Sequence, residues 1–173
     1  MKITQTNIKD ILLITPKIFS DARGDFRETY QEKRYKSLGI NCSFVQDNVV
    51  HSKQGVFRGL HFQSPPYEQA KLITVITGKI LDIALDIRPD SPTYLKQVQV
   101  ELKENEQVFI PVGFAHAYYV LSDQATISYK VSAPYAPEYQ SGIRWDEPKL
   151  KLSEIIKDPI LSVQDSNLPY LKK

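Results

Sequence analysis

Apolar positions along this chain fall in short runs rich in β-branched and aromatic residues, and several of these runs alternate apolar with polar at the period of a strand. "LITVIT", "KILDIALDI", "KQVQVEL", "QVFIPV", "HAYYVLS" and "TISYKVS" succeed one another between residues 72 and 132. In one of them, Val98 and Val100 stand against Gln97, Gln99 and Glu101. Turn-forming stretches divide the runs: "DARGD" at 21–25, "SPPYEQ" at 64–69, "RPDSP" at 88–92 and "PVG" at 111–113. Strands at a spacing of about 8–12 residues predict an all-β sandwich or barrel. A helix is expected early, in "YQEKRYKSLG" (30–39), with Gly39 as its stop. From Pro148 to Lys173 the alternation gives way to a short, partly helical extension packed on the β body. No composition shift marks an internal boundary, so residues 1–173 read as one domain.

"KILDIALDI" is the unusual strand. Leu81, Ile83, Leu85 and Ile87 form one apolar face, which leaves Asp82 and Asp86 with Ala84 on the other. Two arrangements satisfy that alternation. Either the aspartate face meets solvent, or Asp82 points into a polar cavity inside a barrel.

Composition narrows the function classes. Lys and Arg total 22 against 20 acidic residues, a net charge of +2 that favours neither nucleic acid nor a membrane surface as a partner. No apolar run approaches the roughly 20 residues of a membrane-spanning helix. The opening "MKITQTNIKD" is too polar for the apolar core of a signal peptide. With Cys42 as the single cysteine, neither an intrachain disulfide nor a cysteine-built metal site is available, and a reducing, cytoplasmic setting is expected.

The candidate chemistry starts from "GVFRGLHFQ" (55–63), where His61 interrupts an apolar run and Arg58 precedes it by three positions. Three histidines, His51, His61 and His116, raise the question of a metal site. Small barrels of the cupin type often carry a His-x-His pair and a later Pro-x-Gly-x-x-His segment. "PVGFAH", ending at His116, matches the second half, but Phe62 and Gln63 stand where the second histidine of the pair belongs. A cupin barrel used without a metal or other cofactor is therefore expected. Proton abstraction beside a carbonyl calls for a base, an oxyanion partner and an acid. His61, Lys71 and Tyr129 offer those roles, and Asp165 offers a carboxylate that could fix the base's tautomer.

Eight ordered blocks carry a family resemblance over nearly the whole length: "RGDFRETY" (23–30), "FVQDN" (44–48), "RGLHFQ" (58–63), "KLITVITGKILDIALDIRPDSPTY" (71–94), "IPVGFAHAYYVLSD" (110–123), "YKVSAPYAP" (129–137), "GIRW" (142–145) and "PILSVQD" (159–165). In these the chain resembles the dTDP-4-dehydrorhamnose 3,5-epimerases, the RmlC family of nucleotide-sugar epimerases with a cupin, or jelly-roll, fold. The resemblance implies His61 as general base paired with Asp165, Tyr129 as acid, and Lys71 at the C4 oxyanion with His116 nearby. It further implies that Arg23, Glu28, Gln46, Asn48, Arg58 and Tyr135 hold the nucleotide and its diphosphate. A dTDP-sugar substrate and a homodimer are implied as well, the amino-terminal segment of each subunit reaching the neighbour's site.

Departures from the family pattern fall at Ala133-Pro134 before Tyr135, at Gln140 where a Glu is usual, at Gln164 where a Lys is common, and after "GIRW", where the usual Trp-Pro is missing. They leave the proposed catalytic group intact and leave open which 4-keto sugar is used and whether one carbon or two is inverted. A 3,4-ketoisomerase and a non-catalytic sugar-binding cupin are the alternatives.

Overall fold

The computed structural model describes residues 1–171. Thirteen strands are found among the described residues. β1 (Lys2–Gln5) and β2 (Leu12–Thr15) join β10 (Gln107–Ile110), β7 (Lys71–Thr77), β12 (Gln124–Val131) and β5 (Gln46–Lys53), in that order, as a six-stranded sheet. β13 (Gln140–Gly142), β6 (Phe57–Gln63), β11 (Phe114–Val120), β8 (Lys79–Asp86) and β9 (Gln97–Lys103) form a five-stranded one. All pairings within them are antiparallel. β3 (Ile18–Asp21) and β4 (Gly24–Arg27) make a separate hairpin.

The two large sheets pack face to face. Their shared interior takes Ile73, Val75, Val108, Ile110, Ala125 and Ile127 from one side and Ile80, Ala84, Val98, Leu102, Phe114 and Val120 from the other. The expected jelly-roll architecture is present, but as two open sheets rather than a closed barrel. Closure requires edge strands to find each other, and here β1, β5, β9 and β13 all end as edges.

Both outer faces are covered. Leu81, Ile83 and Leu85 lie against Ile143, Leu150, Leu152 and Ile156, so the carboxy-terminal extension caps the five-stranded sheet. That extension contains the short helices α2 (Leu152–Ile155) and α3 (Val163–Ser166). Tyr35 and Ile40 cover Ile14, Leu72 and Phe109 on the six-stranded sheet. Tyr35 belongs to α1 (Glu32–Ser37), which is shorter than the sequence suggests; Gln31 caps its first turn, and the chain turns at Gly39 with φ +92°.

Strand β8 thus buries both faces, and its aspartates face the interior rather than solvent. Asp86 is fully buried and accepts from the Arg88 guanidinium (2.9 and 2.7 Å), Ser91 Oγ (2.6 Å) and Thr93 Oγ1 (2.6 Å). Burial alone would raise the pKa of this carboxyl, but those bonds outweigh it and hold it well below the ordinary carboxylate range.

Strand β6 carries the feature that shapes the site. His61 is opposite His116 on β11, yet Arg58 is opposite Tyr118, so three steps on β6 match two on β11. The extra residue is a bulge, and it changes which face each later side chain meets. Regular alternation would send Arg58 and His61 to opposite faces; the bulge lets both line one cavity. Gly59 makes it possible. Its φ is +129°, and a Cβ there would fall 2.4 Å from Ala117 Cβ and 2.6 Å from the His116 carbonyl oxygen. Gly59→Ala is therefore expected to cost on the order of 2–4 kcal/mol from backbone strain and overpacking. Urea unfolding of the variant measures it; an unchanged midpoint would contradict this account of the bulge.

Candidate active site

A cavity of about 300 Å³ opens between the sheets. Arg58, His61, His116 and Tyr118 line it from the five-stranded sheet, and Val50, Lys71, Ile73, Ile127 and Tyr129 from the six-stranded one. Ser162, Gln164 and Asp165 complete the wall from the carboxy-terminal extension. A smaller cleft of about 150 Å³ shares His61, Lys71 and Tyr129, and adds Gln63, Gln69, Tyr135 and Gln140.

Two histidine–carboxylate pairs reach this wall, one through His61 and Asp165 and the other through His116. His61 Nε2 lies 2.6 Å from Asp165 Oδ1, joining side chains 104 positions apart in the chain. Asp165 is buried, so its charge is directed at the imidazole with little competition from water. When Nε2–H donates to the carboxylate, the other ring nitrogen keeps its lone pair and can take a proton. His116 Nε2 lies 2.8 Å from Asp82 Oδ2, and both residues are buried.

Lys71 is buried in the wall of the cavity. Burial pushes its pKa down to about 8, and the negative charge of Asp82 acts in the opposite direction. A cation with so little competing water is a strong partner for a developing oxyanion. Tyr129 stands opposite Ile73 and Asn48 in the register of its sheet. Burial raises the pKa of its phenol, with Arg58 working against that rise, so Tyr129 stays protonated near neutral pH and can donate.

Arg58 is exposed, and its Nε donates to Ser52 Oγ at 3.2 Å. Ser52 Oγ lies 3.1 Å from the Tyr118 hydroxyl, which anchors the guanidinium stem to the wall. A planar cation placed this way suits a phosphate entering from solvent.

Among the residues expected at a site, His61, Lys71, Tyr129, Asp165, His116 and Arg58 come together at the main cavity. Tyr135 borders the adjoining cleft, where its hydroxyl meets Gln140 Oε1 at 2.5 Å. Gln46 accepts from the Tyr135 backbone N–H (3.0 Å) and donates to Asn48 Oδ1 (2.9 Å), so these three form one chain of contacts. Arg23 and Glu28 do not join them. Arg23 sits on the β3–β4 hairpin, its side chain 90% exposed and paired with Asp21 at 2.6 Å. Glu28 pairs with Arg34. The third histidine, His51, is on the exposed face of β5, bonded to Thr126 Oγ1 at 2.9 Å. Among the described residues, no group of three His, Cys, Asp or Glu side chains is arranged to hold a metal ion.

Sequence reasoning left Asp82 unassigned, named Gln164 only as a departure from the family pattern, and overlooked Tyr118, Ser52 and Ser162. Ser162 had a legible signal: it caps α3 by accepting from the Asp165 backbone N–H at 3.0 Å, and "SVQD" is a helix-start pattern. Ser52 and Tyr118 have no such mark, because only the bulge brings Arg58 to them.

The family profile of the dTDP-4-dehydrorhamnose 3,5-epimerases matches residues 5–173. A Shigella flexneri dTDP-4-dehydrorhamnose 3,5-epimerase is 42% identical over 170 residues, covering 96% of this chain and 94% of that protein. Among solved structures, the Legionella pneumophila dTDP-6-deoxy-D-glucose-3,5-epimerase RmlC, in complex with dTDP-4-keto-L-rhamnose, aligns with a TM-score of 0.92. It is 42% identical, over 98% of this chain and 92% of that one. The Bacillus anthracis dTDP-4-dehydrorhamnose 3,5-epimerase with TDP and PPi bound gives a TM-score of 0.94 at 40% identity, over 98% and 99% of the two chains. Profile, sequence and fold agree over nearly the full length: the chain belongs to the dTDP-4-dehydrorhamnose 3,5-epimerase family.

Proposed function

We propose that this protein inverts C3 and C5 of dTDP-4-dehydro-6-deoxy-D-glucose, giving dTDP-4-dehydro-L-rhamnose. The observation that carries the reading is the placement of His61 and Tyr129 on opposing sheets across one cavity, with buried Lys71 in its wall. Inversion of a carbon requires a proton to leave one face and another to arrive on the opposite face. A base on one wall and an acid on the facing wall supply that geometry.

His61 removes the proton from the carbon beside the ketone, and the C–H electron pair moves into the ring as the C4 carbonyl becomes an enolate oxygen. Lys71 meets the developing negative charge, with the Asp82–His116 pair behind it. Tyr129 then delivers a proton to the opposite face while the enolate electrons return to carbon. His61 has gained a proton and Tyr129 has lost one, so exchange with solvent resets both before the second carbon reacts. C3 and C5 flank the same carbonyl, so one oxyanion partner serves both. The bonds broken and formed are all to hydrogen, and no redox step is needed.

Arg58, with Gln46, Asn48 and Tyr135 at the adjoining cleft, is read as holding the nucleotide diphosphate. Arg23 and Glu28 are read as serving a neighbouring subunit in a homodimer. In support, the hairpin that carries Arg23 exposes Phe19 (51%) and Phe26 (69%), a surface suited to a second copy of the chain. Residues 1–173 act on this reading as one epimerase domain in the cytoplasm, without a cofactor. The Gln140 contact to Tyr135 and the place of Gln164 in the cavity wall put two of the departures from the family pattern within reach of substrate.

Turnover of dTDP-4-dehydro-6-deoxy-D-glucose, with the product identified by NMR, tests the reading. His61→Asn is expected to lower kcat by about 10²–10⁴-fold, the usual contribution of a positioned base. Tyr129→Phe should still release substrate protons to solvent but give no inverted product. A product with a displaced carbonyl would instead identify a ketoisomerase, and tight binding with no turnover a sugar-binding module.

The pH profile gives a separate check. Lys71 is charged below its pKa of about 8 and loses that charge above it. kcat/KM is therefore expected to fall as the pH rises through about 8, since that ratio reports the free enzyme. Lys71→Met should lower kcat by about 10²–10³-fold and abolish this limb; an intact limb in the variant would assign it to another group.

A further inference from the structure

We infer that Arg144 is a positioning residue for the base: it holds the segment that presents Asp165 to His61. The inference rests on the proposed epimerase reading for its catalytic consequence and on geometry alone for the positioning itself.

Asp165 is carried by α3, a helix of four residues. A single turn has no stability of its own, because nucleation costs more than one or two hydrogen bonds return. Ser162 secures its start. At its other end, Arg144 Nη1 donates to the Ser166 carbonyl oxygen at 3.0 Å, where a helix leaves its acceptors unmatched. The Arg144 backbone N–H donates to the Pro169 carbonyl oxygen at 2.9 Å. The rest of the guanidinium is locked in place: Nε and Nη2 grip the Asp146 carboxylate at 2.9 and 3.1 Å, and the Tyr170 ring lies 5.0 Å away. That grip raises the pKa of Arg144 and lowers that of Asp146.

The same short stretch also fixes the base. Gly142 is the register partner of His61, and Ile143 exchanges both backbone hydrogen bonds with Leu60, at 3.0 and 3.2 Å. Gly142 has room for no side chain, since a Cβ there would lie 2.6 Å from the Leu60 carbonyl oxygen and 2.8 Å from the Leu168 side chain. Residues 142–144 therefore touch the histidine's strand on one side and the aspartate's helix on the other. His61 and Asp165, far apart in sequence, are referenced to one strip of backbone. Arg144 supplies the side-chain bond that ties the helix to that strip.

Two readouts test this. The first needs no substrate: an imidazole N–H held by a buried carboxylate gives a downfield proton resonance protected from exchange. The wild type should show one from His61 and one from His116. Arg144→Gln should weaken or remove the His61 signal and leave that of His116, which is bonded to Asp82, in place. The second is kinetic. Arg144→Gln should lower kcat about tenfold at nearly constant KM, yet change it less than twofold in an Asp165→Asn background, where there is no carboxylate left to position. Arg144→Lys, which keeps a cation near the Ser166 carbonyl, should recover most of the loss. An unchanged His61 signal in Arg144→Gln overturns the inference, as does an equal kcat loss with and without Asp165. An inactive wild type whose signals behave as described would overturn the epimerase reading and leave the positioning role standing.

Discussion

The contact between His61 and Asp165 is the constraint on which the rest of the site depends. It joins a strand in the middle of the chain to a one-turn helix near its end, at 2.6 Å. An imidazole without that carboxylate would be free to choose its tautomer and its rotamer. With it, one nitrogen is committed to the carboxylate and the other keeps its lone pair. The carboxy-terminal extension therefore has two duties. Leu150, Leu152 and Ile156 close the outer face of the five-stranded sheet, and a few residues later the same segment supplies Asp165 to a cavity on the inner side.

A sandwich of two sheets is a good frame for such chemistry because its interior is apolar by default. Each polar group that enters must be matched, and the matches decide its properties. Asp82 meets His116, Asp165 meets His61, and Asp86 meets Arg88, Ser91 and Thr93. Lys71 is a buried cation in the cavity wall whose charge is left available to an entering ligand. Burial makes that charge costly, which is why its pKa falls to about 8, and an arriving oxyanion is what would relieve the cost. The polar interior is thus divided between a self-satisfied cluster around Asp86 at one end of β8 and the set beside the cavity toward its middle.

Much of this was legible in the residues. Runs rich in β-branched and aromatic residues between turn signals located the strands from β7 to β12, and in several of them a buried face left its mark at every second position. Closure was not legible: alternation says which way a side chain points, and nothing about whether edge strands meet. For β8 the pattern was read correctly as two faces, but only the packing of the extension shows that the aspartate face is the inner one. The grouping of His61, Lys71, Tyr129 and Asp165 in one cavity followed expectation. The shared face of Arg58 and His61 did not follow from their spacing of three, because a regular strand would separate them; Gly59 and its bulge bring them together. Arg23 and Glu28 lie away from the cavity, on and just beyond a hairpin whose apolar side chains face outward. The roles proposed for them belong to a site shared with a second subunit, which no pattern within one chain can place.

The central claim is that one base, held by Asp165, works at both carbons beside the ketone. Incubation with dTDP-4-dehydro-6-deoxy-D-glucose in D₂O, followed by NMR location of deuterium, measures this directly. Deuterium should enter at both C3 and C5 in the wild type, and His61→Asn should abolish incorporation at both together. Incorporation at a single carbon, or exchange that survives at either carbon without His61, would contradict it.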